Sequence, residues 1–286
     1  MNAPAKLNLC LYLGERRDDG LHELCSIFQP LQLADRIVIT DGEGDADEVV
    51  CEGIEGPNLA GAALAALREA GWRSRPLRIE IEKRIPVAAG LGGGSADAAA
   101  VLRLAEGEIE AVRLEEIAAG LGADVPSQIR PQAALVTGAG ERLEPIPPSR
   151  EWAAVLLPDE RGLSTAEVYA EADRLGLARD PDALSLARDR LLAATAAGAS
   201  PLDYADLLVN DLGEAAVSLR PEIGDALDAL RGAGAGHAIV TGSGPTAVGL
   251  FADIAKADAA AAALSPRYYG AIVTAPEATA TATGTS

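Results

Sequence analysis

In the first half of the chain, apolar positions recur every second residue in short runs and every third or fourth in longer ones. Residues 6–14 (KLNLCLYLG) alternate as a strand. Residues 26–33 (SIFQPLQL) and 35–41 (DRIVITD) read as two more strands, parted by an Ala-Asp turn. Residues 77–86 (LRIEIEKRIP) alternate most cleanly and end at Pro86, since proline lacks the N–H a ladder needs. The spacing predicts a helix over 58–72, with Asn58 as N-cap and Gly71 as its C-terminal stop. Further helices are expected after Ser95 and over 114–122, followed by strands over 133–138 and 141–146.

The second half reads as strand 152–158, helices 164–176, 181–198 and 220–234, strands 237–242 and 246–253, helix 252–264 and a last strand 271–276. The proline-rich stretch 145–152 is the natural boundary, giving domains 1–149 and 150–275. The low-complexity end, 276–286, is expected to be a disordered tail. Strands dominate early and helices mix in later without a regular βαβ cadence, so the class is α+β.

Composition narrows the partners. Across 286 residues the formal net charge is −19, and lysine occurs only at Lys6, Lys83 and Lys256. A nucleic acid or an anionic membrane would need a basic face, so neither is an expected partner. A small anion held by backbone N–H groups is not excluded by this balance. Cys10, Cys25 and Cys51 lie in apolar surroundings without metal spacing and read as buried free thiols of a reducing compartment. With no signal-peptide pattern and no long apolar run, a cytoplasmic protein is expected, a monomer or weak homodimer.

The chemistry concentrates in IPVAAGLGGGSADAAAVLRLA, residues 85–105. Glycines feeding a helix start let the backbone wrap a phosphate, while the free N–H groups and the helix dipole attract it. Ser95 falls in the first turn, where a hydroxyl reaches a phosphate oxygen or a magnesium ion. Two familiar phosphate loops do not fit. Gly94 stands where a Walker loop needs lysine, and Pro86 with two alanines separates the strand from the first glycine, unlike a dinucleotide fingerprint.

The pattern P-x-x-x-G-L-G-G-G-S-A (86–96) resembles the ATP-binding motif of the GHMP kinase superfamily. PAKLNLCLYLGERRDDGLHEL near the N-terminus, LGADVP (121–126) and the segment 210–251 with its TGSGPT turn resemble the other motifs, in the form found in the superfamily's 4-diphosphocytidyl-2-C-methyl-D-erythritol kinase branch. The likeness runs in order over residues 3 to 275. It implies a two-domain GHMP kinase fold, with an N-terminal ribosomal-protein-S5-like domain and a C-terminal ferredoxin-like α/β-plait domain. It implies phosphoryl transfer from ATP, with Mg²⁺, to the 2-hydroxyl of the cytidylated methylerythritol.

Residue by residue, the resemblance implies that Pro86, Ala89, Gly90, Leu91, Gly92, Gly93, Gly94, Ser95 and Ala96 surround the ATP phosphates, with Ser95 toward Mg²⁺ and Asn58 near adenine. Asp124 would act at the acceptor hydroxyl as base or orienting group, with Lys6 beside it to offset charge on the moving phosphoryl group. Asn8, His22, Leu21, Tyr169, Gly242, Ser243 and Gly244 would serve the acceptor. Structural readings stand beside these: Asp124 and Asn58 as helix N-caps, Lys6 as an edge-strand gatekeeper, His22 as a surface residue, and Lys83 as either a nucleotide-side cation or a solvated one. The sequence departs from the family at Leu21, where an aromatic usually stacks on the base, and at Gln128 and Pro131, which replace a phenylalanine-rich, glycine-ending segment. A homoserine or mevalonate kinase of the same superfamily, or a silent nucleotide-binding module, are the competing readings.

Overall fold

The computed structural model describes residues 1–53, 56, 58–159, 161–268 and 270–277. The alternating N-terminal run becomes a long antiparallel hairpin, β1 (Asn2–Arg16) against β2 (His22–Asp41). The turn expected at Ala34–Asp35 does not form. Ala34 pairs with Pro4, and Asp35 stays in the strand with its side chain fully buried. There its carboxylate accepts from the backbone N–H groups of Arg84 at 2.6 Å and Ile85 at 2.8 Å and pairs with Lys83. Those bonds, invisible to local pattern, keep a polar turn former inside a sheet.

Then follow β3 (Glu48–Cys51), α1 (Leu59–Glu69), β4 (Leu77–Glu82), α2 (Gly93–Leu102), α3 (Ala111–Leu121), α4 (Val125–Ile129), β5 (Ala134–Gly138) and β6 (Arg142–Pro145). The first sheet has the order β3-β4-β2-β5-β6, with β1 also on β2. Of the strands in this sheet only β3 was not anticipated, being four residues set among acidic and glycine positions, and the short helix α4 was not among the expected helices. Helix α2 is apolar nearly all round, as a buried helix must be. Its Ala96, Ala98, Ala99 and Ala100 have no exposed surface, which lets α1 and α4 pack closely on it.

The chain crosses to a second, antiparallel sheet between β6 and β7 (Ala153–Leu157). Helices α5 (Thr165–Leu175), α6 (Pro181–Thr195), α7 (Asp211–Leu219) and α8 (Pro221–Gly232) come next, then β8 (His237–Val240), β9 (Ala247–Phe251), α9 (Ile254–Leu264) and β10 (Ile272–Thr274), in the sheet order β10-β7-β9-β8. One face of this sheet is covered by α8 and α9 through Leu230, Ala257 and Leu264. The other face, with Leu156, Ile239, Val248 and Leu250, shares one core with Leu7, Leu9, Ile27 and Leu31 of the first sheet. The two sheets are therefore held as a unit by apolar burial. Past β10 the backbone stays paired: Gln32 donates to the Ala275 carbonyl at 2.9 Å and Glu277 to the Pro30 carbonyl at 2.8 Å. Pro276 and Glu277 thus extend the paired chain by two residues; the tail expectation for 278–286 lies outside the described residues.

Replacing Asp35 by alanine removes the acceptor of the Arg84 and Ile85 N–H groups and one partner of the largely buried Lys83. The expected loss is about 3–5 kcal/mol of folding stability, read as a lowered midpoint in urea unfolding.

Candidate functional site

The glycine loop sits between the two halves. A strained residue, Ala88 at φ 56°, opens it. At Gly90 (φ +74°) an added Cβ would lie 2.7 Å from the Gly244 carbonyl oxygen, and at Gly92 (φ +69°) 2.9 Å from Cγ of Lys6. Both positions demand glycine twice over, for the left-handed backbone and for the close approach. The loop is tied from both sides. The Lys6 N–H donates to the Leu91 carbonyl at 2.9 Å, and Thr246 Oγ1 donates to the Ala89 carbonyl at 2.7 Å.

Pro86, Ala89, Gly90, Leu91, Gly92, Gly93, Gly94 and Ser95 line a cleft over this loop together with Asn58, Lys83 and Asp97. The first turn of α2 faces it, so its N–H groups point where an anion would lie. Asn58 is the cap of α1, its Oδ1 accepting from the Gly61 N–H at 2.8 Å, and the residue also lines the cleft. Ala96 does not reach the cleft. It is wholly buried on the core side of α2, where a larger side chain would push α1 away.

A second cleft adjoins the first and shares Gly90, Gly92 and Ser95 with it. On its floor Lys6 Nζ is 3.2 Å from Asp124 Oδ2 and donates to Asn8 Oδ1 at 2.7 Å. The ammonium also lies 4.2 Å from the centroid of the Phe28 ring, a favourable cation–π contact. With its side chain only 8% exposed, Lys6 is not a solvated gatekeeper. Asp124 precedes α4 but makes no capping bond with its side chain; the carboxylate faces Lys6 instead. Alternation along β1 puts Lys6 and Asn8 on one face, as expected. Asn8 nonetheless has both halves of its amide engaged, since Nδ2 donates to Ser26 Oγ at 2.9 Å. In this geometry it holds Lys6, and it also lines the cleft.

The TGSGPT turn closes the same cleft through Gly242 and Ser243. Gly244 points away from it and packs against Gly90 of the loop, because the turn must approach the loop backbone there. Asn210 holds the turn, donating through Nδ2 to the carbonyls of Val240 at 2.7 Å and Gly242 at 2.8 Å. Ser243 Oγ lies 3.0 Å from Thr165 Oγ1 at the start of α5, and the Asn8 N–H donates to Thr241 Oγ1 at 3.0 Å.

Beyond Tyr169 the cleft opens into a third pocket lined by Leu21, His22, Tyr169 and Asp173. His22 is buried, with Nε2 2.8 Å from Asp173 Oδ1 and its ring 5.3 Å from that of Tyr169. Leu21 is 54% exposed at the hairpin tip. Burial, with the nearby Asp124 charge, pushes the Tyr169 phenol up to about 12. The ring is therefore neutral at any physiological pH.

Lys83 is neither solvated nor free. It pairs with Asp35 and donates to Asp97 Oδ2 at 2.8 Å. Burial pulls Lys83 down, but the two carboxylates outweigh it and hold the lysine above its ordinary value. Burial pushes the Asp97 carboxyl up, against the pull of Lys83. Asp97, Asp173, Asn210 and Thr165 escaped sequence reasoning. Asp97, two residues after Ser95, was the one with a local signal: a charged residue inside an alanine run. The others are brought in only by tertiary contact.

The chain matches two family models, the GHMP kinases N terminal domain over residues 58–135 and the GHMP kinases C terminal over 182–271. A 4-diphosphocytidyl-2-C-methyl-D-erythritol kinase of Thermobifida fusca is 39% identical over 282 residues, covering 92% of this chain and 90% of that protein. The crystal structure of a 4-(cytidine 5'-diphospho)-2C-methyl-D-erythritol kinase superposes with a TM-score of 0.80 at 34% identity, covering 97% of this chain and 99% of the other. A mevalonate kinase of L. major, at a TM-score of 0.73 but 17% identity over 98% of this chain and 96% of the other, shares the fold alone.

In an absorbance titration at 295 nm, the difference between the protein and its Tyr169→Phe variant should show no phenolate near the ordinary value of 10 and a step at about 12. The folded-state value is raised, so the stability Tyr169 contributes is present below pH 10 and is lost as pH rises toward 12.

Proposed function

The chain belongs to the GHMP kinases, in the branch named for 4-diphosphocytidyl-2-C-methyl-D-erythritol, and from that membership we propose how this chain carries out the transfer of the ATP γ-phosphoryl group to the acceptor's 2-hydroxyl. The observation that carries the assignment of roles is the Lys6–Asp124 pair, 3.2 Å apart, standing where the loop cleft meets the acceptor cleft.

Phosphoryl transfer asks a protein for positioning and charge stabilisation more than for covalent chemistry. The N–H groups at the start of α2 and the glycine loop receive the nucleotide phosphates. Asp124, its carboxylate about one third exposed to the cleft, takes the proton of the acceptor hydroxyl or orients it. Lys6, fixed by Asn8 and Phe28, offsets the charge that builds on the moving phosphoryl group. The hydroxyl oxygen attacks in line, ADP leaves, and no phospho-enzyme forms. The pocket at Leu21, His22 and Tyr169, which adjoins the acceptor cleft through Tyr169, takes the cytosine end of the acceptor, with Tyr169 on one face of the base. Residues 1–149 would then carry the phosphate loop and the reacting pair, and 150–275 the second wall.

The described residues contain no cluster of three or more metal-ligating side chains. A Mg²⁺ ion carried mainly by nucleotide oxygens and water would take Ser95, which lines both clefts, as the chain's own ligand. When bound, the ion would neutralise charge between the β- and γ-phosphates. No helix of the described residues is long and apolar enough to cross a membrane.

Mg²⁺-dependent ADP release should appear with the cytidylated methylerythritol and not with homoserine or mevalonate. Asp124→Asn and Lys6→Met should each lower kcat about 100- to 10,000-fold while nucleotide binding persists. Turnover on all three acceptors, or an Asp124→Asn enzyme at full rate, would sink this assignment. Leu21→Tyr, which restores an aromatic at the rim of the base pocket, should tighten acceptor binding by about 1–3 kcal/mol; an unchanged acceptor KM would remove the base from that pocket.

A further inference from the structure

The hairpin tip and helix α5 meet in the third pocket. On α5, Tyr169 and Asp173 stand four residues apart, so one helical face presents the ring and the carboxylate together. Against them comes His22, the first residue of β2. Its side chain is 6% exposed, that of Asp173 43%. His22 Nε2 lies 2.8 Å from Asp173 Oδ1, and all three residues line the pocket.

This contact decides which ring nitrogen bears hydrogen. An ionised carboxylate only accepts, so Nε2 donates. A ring turned over would set carbon against the carboxylate and lose the bond. In the neutral ring Nδ1 then carries a lone pair. Nδ1 has no hydrogen-bond partner among the described residues, and it is not one of the unpartnered atoms sealed from solvent. The ring is otherwise buried, and the pocket it lines is where that acceptor is open to a ligand.

The base of the acceptor gives this lone pair a use. Stacking on Tyr169 and apolar contact with Leu21 suit any flat base, since every base has a π-face. Cytosine and uracil differ at their polar edge: cytosine carries an amino donor at N4, where uracil, like thymine, has a carbonyl oxygen. A lone pair at Nδ1 accepts from the amino group and opposes the oxygen. Two other polar side chains on this wall are less suited. Thr165 Oγ1 is engaged with Ser243 Oγ at 3.0 Å, and Arg16, with Nε on the Gly20 carbonyl at 3.0 Å, can only donate.

We propose that Asp173 is a positioning residue that selects the base: by holding the proton on His22 Nε2 it makes Nδ1 an acceptor for the cytosine amino group, and so favours a cytidylated over a uridylated acceptor. The inference rests on the reading of this pocket as the place of the acceptor's base.

The chain has two histidines, His22 and His237, so ¹⁵N imidazole signals give a direct readout, with those missing in His22→Gln assigned to His22. At the pH of the assay His22 should carry hydrogen on Nε2 and none on Nδ1. In Asp173→Ala the proton should redistribute between the two nitrogens. Alanine is a strong helix former and suits this half-exposed place on α5. The acceptor and its analogue with uracil in place of cytosine are then compared. The wild-type kcat/KM should favour cytosine, and in Asp173→Ala the preference should fall about tenfold, through the acceptor KM more than through kcat. In Asp173→Asn, whose amide can either accept or donate, the preference should follow the share of His22 that has no hydrogen on Nδ1. Hydrogen on Nδ1 in the wild type overturns the proposal, and so does equal use of both bases. Loss of the preference in Asp173→Ala with unmoved His22 signals also overturns it, since the carboxylate would then read the amino group directly. Absence of turnover with the cytidylated acceptor would instead remove the kinase reading, a separate failure that the nitrogen signals do not depend on.

Discussion

The structure turns on how closely other backbone comes to the glycine loop. The Gly244 carbonyl occupies the space a Cβ at Gly90 would need, and the stem of Lys6 occupies the space a Cβ at Gly92 would need. Hydrogen bonds from the Lys6 N–H and Thr246 Oγ1 then fix the loop carbonyls. With its carbonyls engaged behind, the loop turns its N–H groups toward the cleft, the polarity an anion requires. Three segments distant in sequence, β1, the loop and the 241–246 turn, meet at this one place. A change in any of them displaces the other two.

Charge explains why backbone has to do this work. In a chain of net charge −19, the cleft holds two lysines and each is already matched. Lys6 faces Asp124, and Lys83 is shared by Asp35 and Asp97. Neither leaves a bare positive charge for a polyphosphate. In the proposed reading the attraction would come instead from the N–H groups of the loop and the dipole of α2. The paired lysines serve as fixed parts: Lys83 joins β2, the end of β4 and α2, while Lys6 is held by Asn8, Phe28 and the loop.

The pocket proposed for the acceptor is built with more freedom. Asp173 fixes the His22 ring and Tyr169 stands beside it, but Leu21 lies half-exposed at a hairpin tip. Phosphate recognition tolerates little displacement because it depends on several converging N–H groups. An apolar wall for a flat base tolerates exchange of one side chain for another of similar bulk. The departures from the motif that the resemblance implies, at Leu21, Gln128 and Pro131, all lie outside the loop.

Local pattern alone determined most of the elements, because strand alternation and helical spacing are properties of neighbouring residues. It also marked the glycine loop, since left-handed backbone and close approach together favour glycine at Gly90 and Gly92. It could not decide Asp35, which reads as a turn former until the N–H groups of Arg84 and Ile85, just past the end of β4, arrive to bind it. Nor could it separate Lys6 the gatekeeper from Lys6 the partner of Asp124, because more than a hundred residues lie between the two. Ala96 and Gly244 sit within motifs yet face the core and the loop, a matter of which side of a helix or turn the packing buries. Sequence carries the chemistry of each side chain and the local shape of its backbone; which groups meet is a property of the folded chain, since the contacts that join them cross the whole length of it.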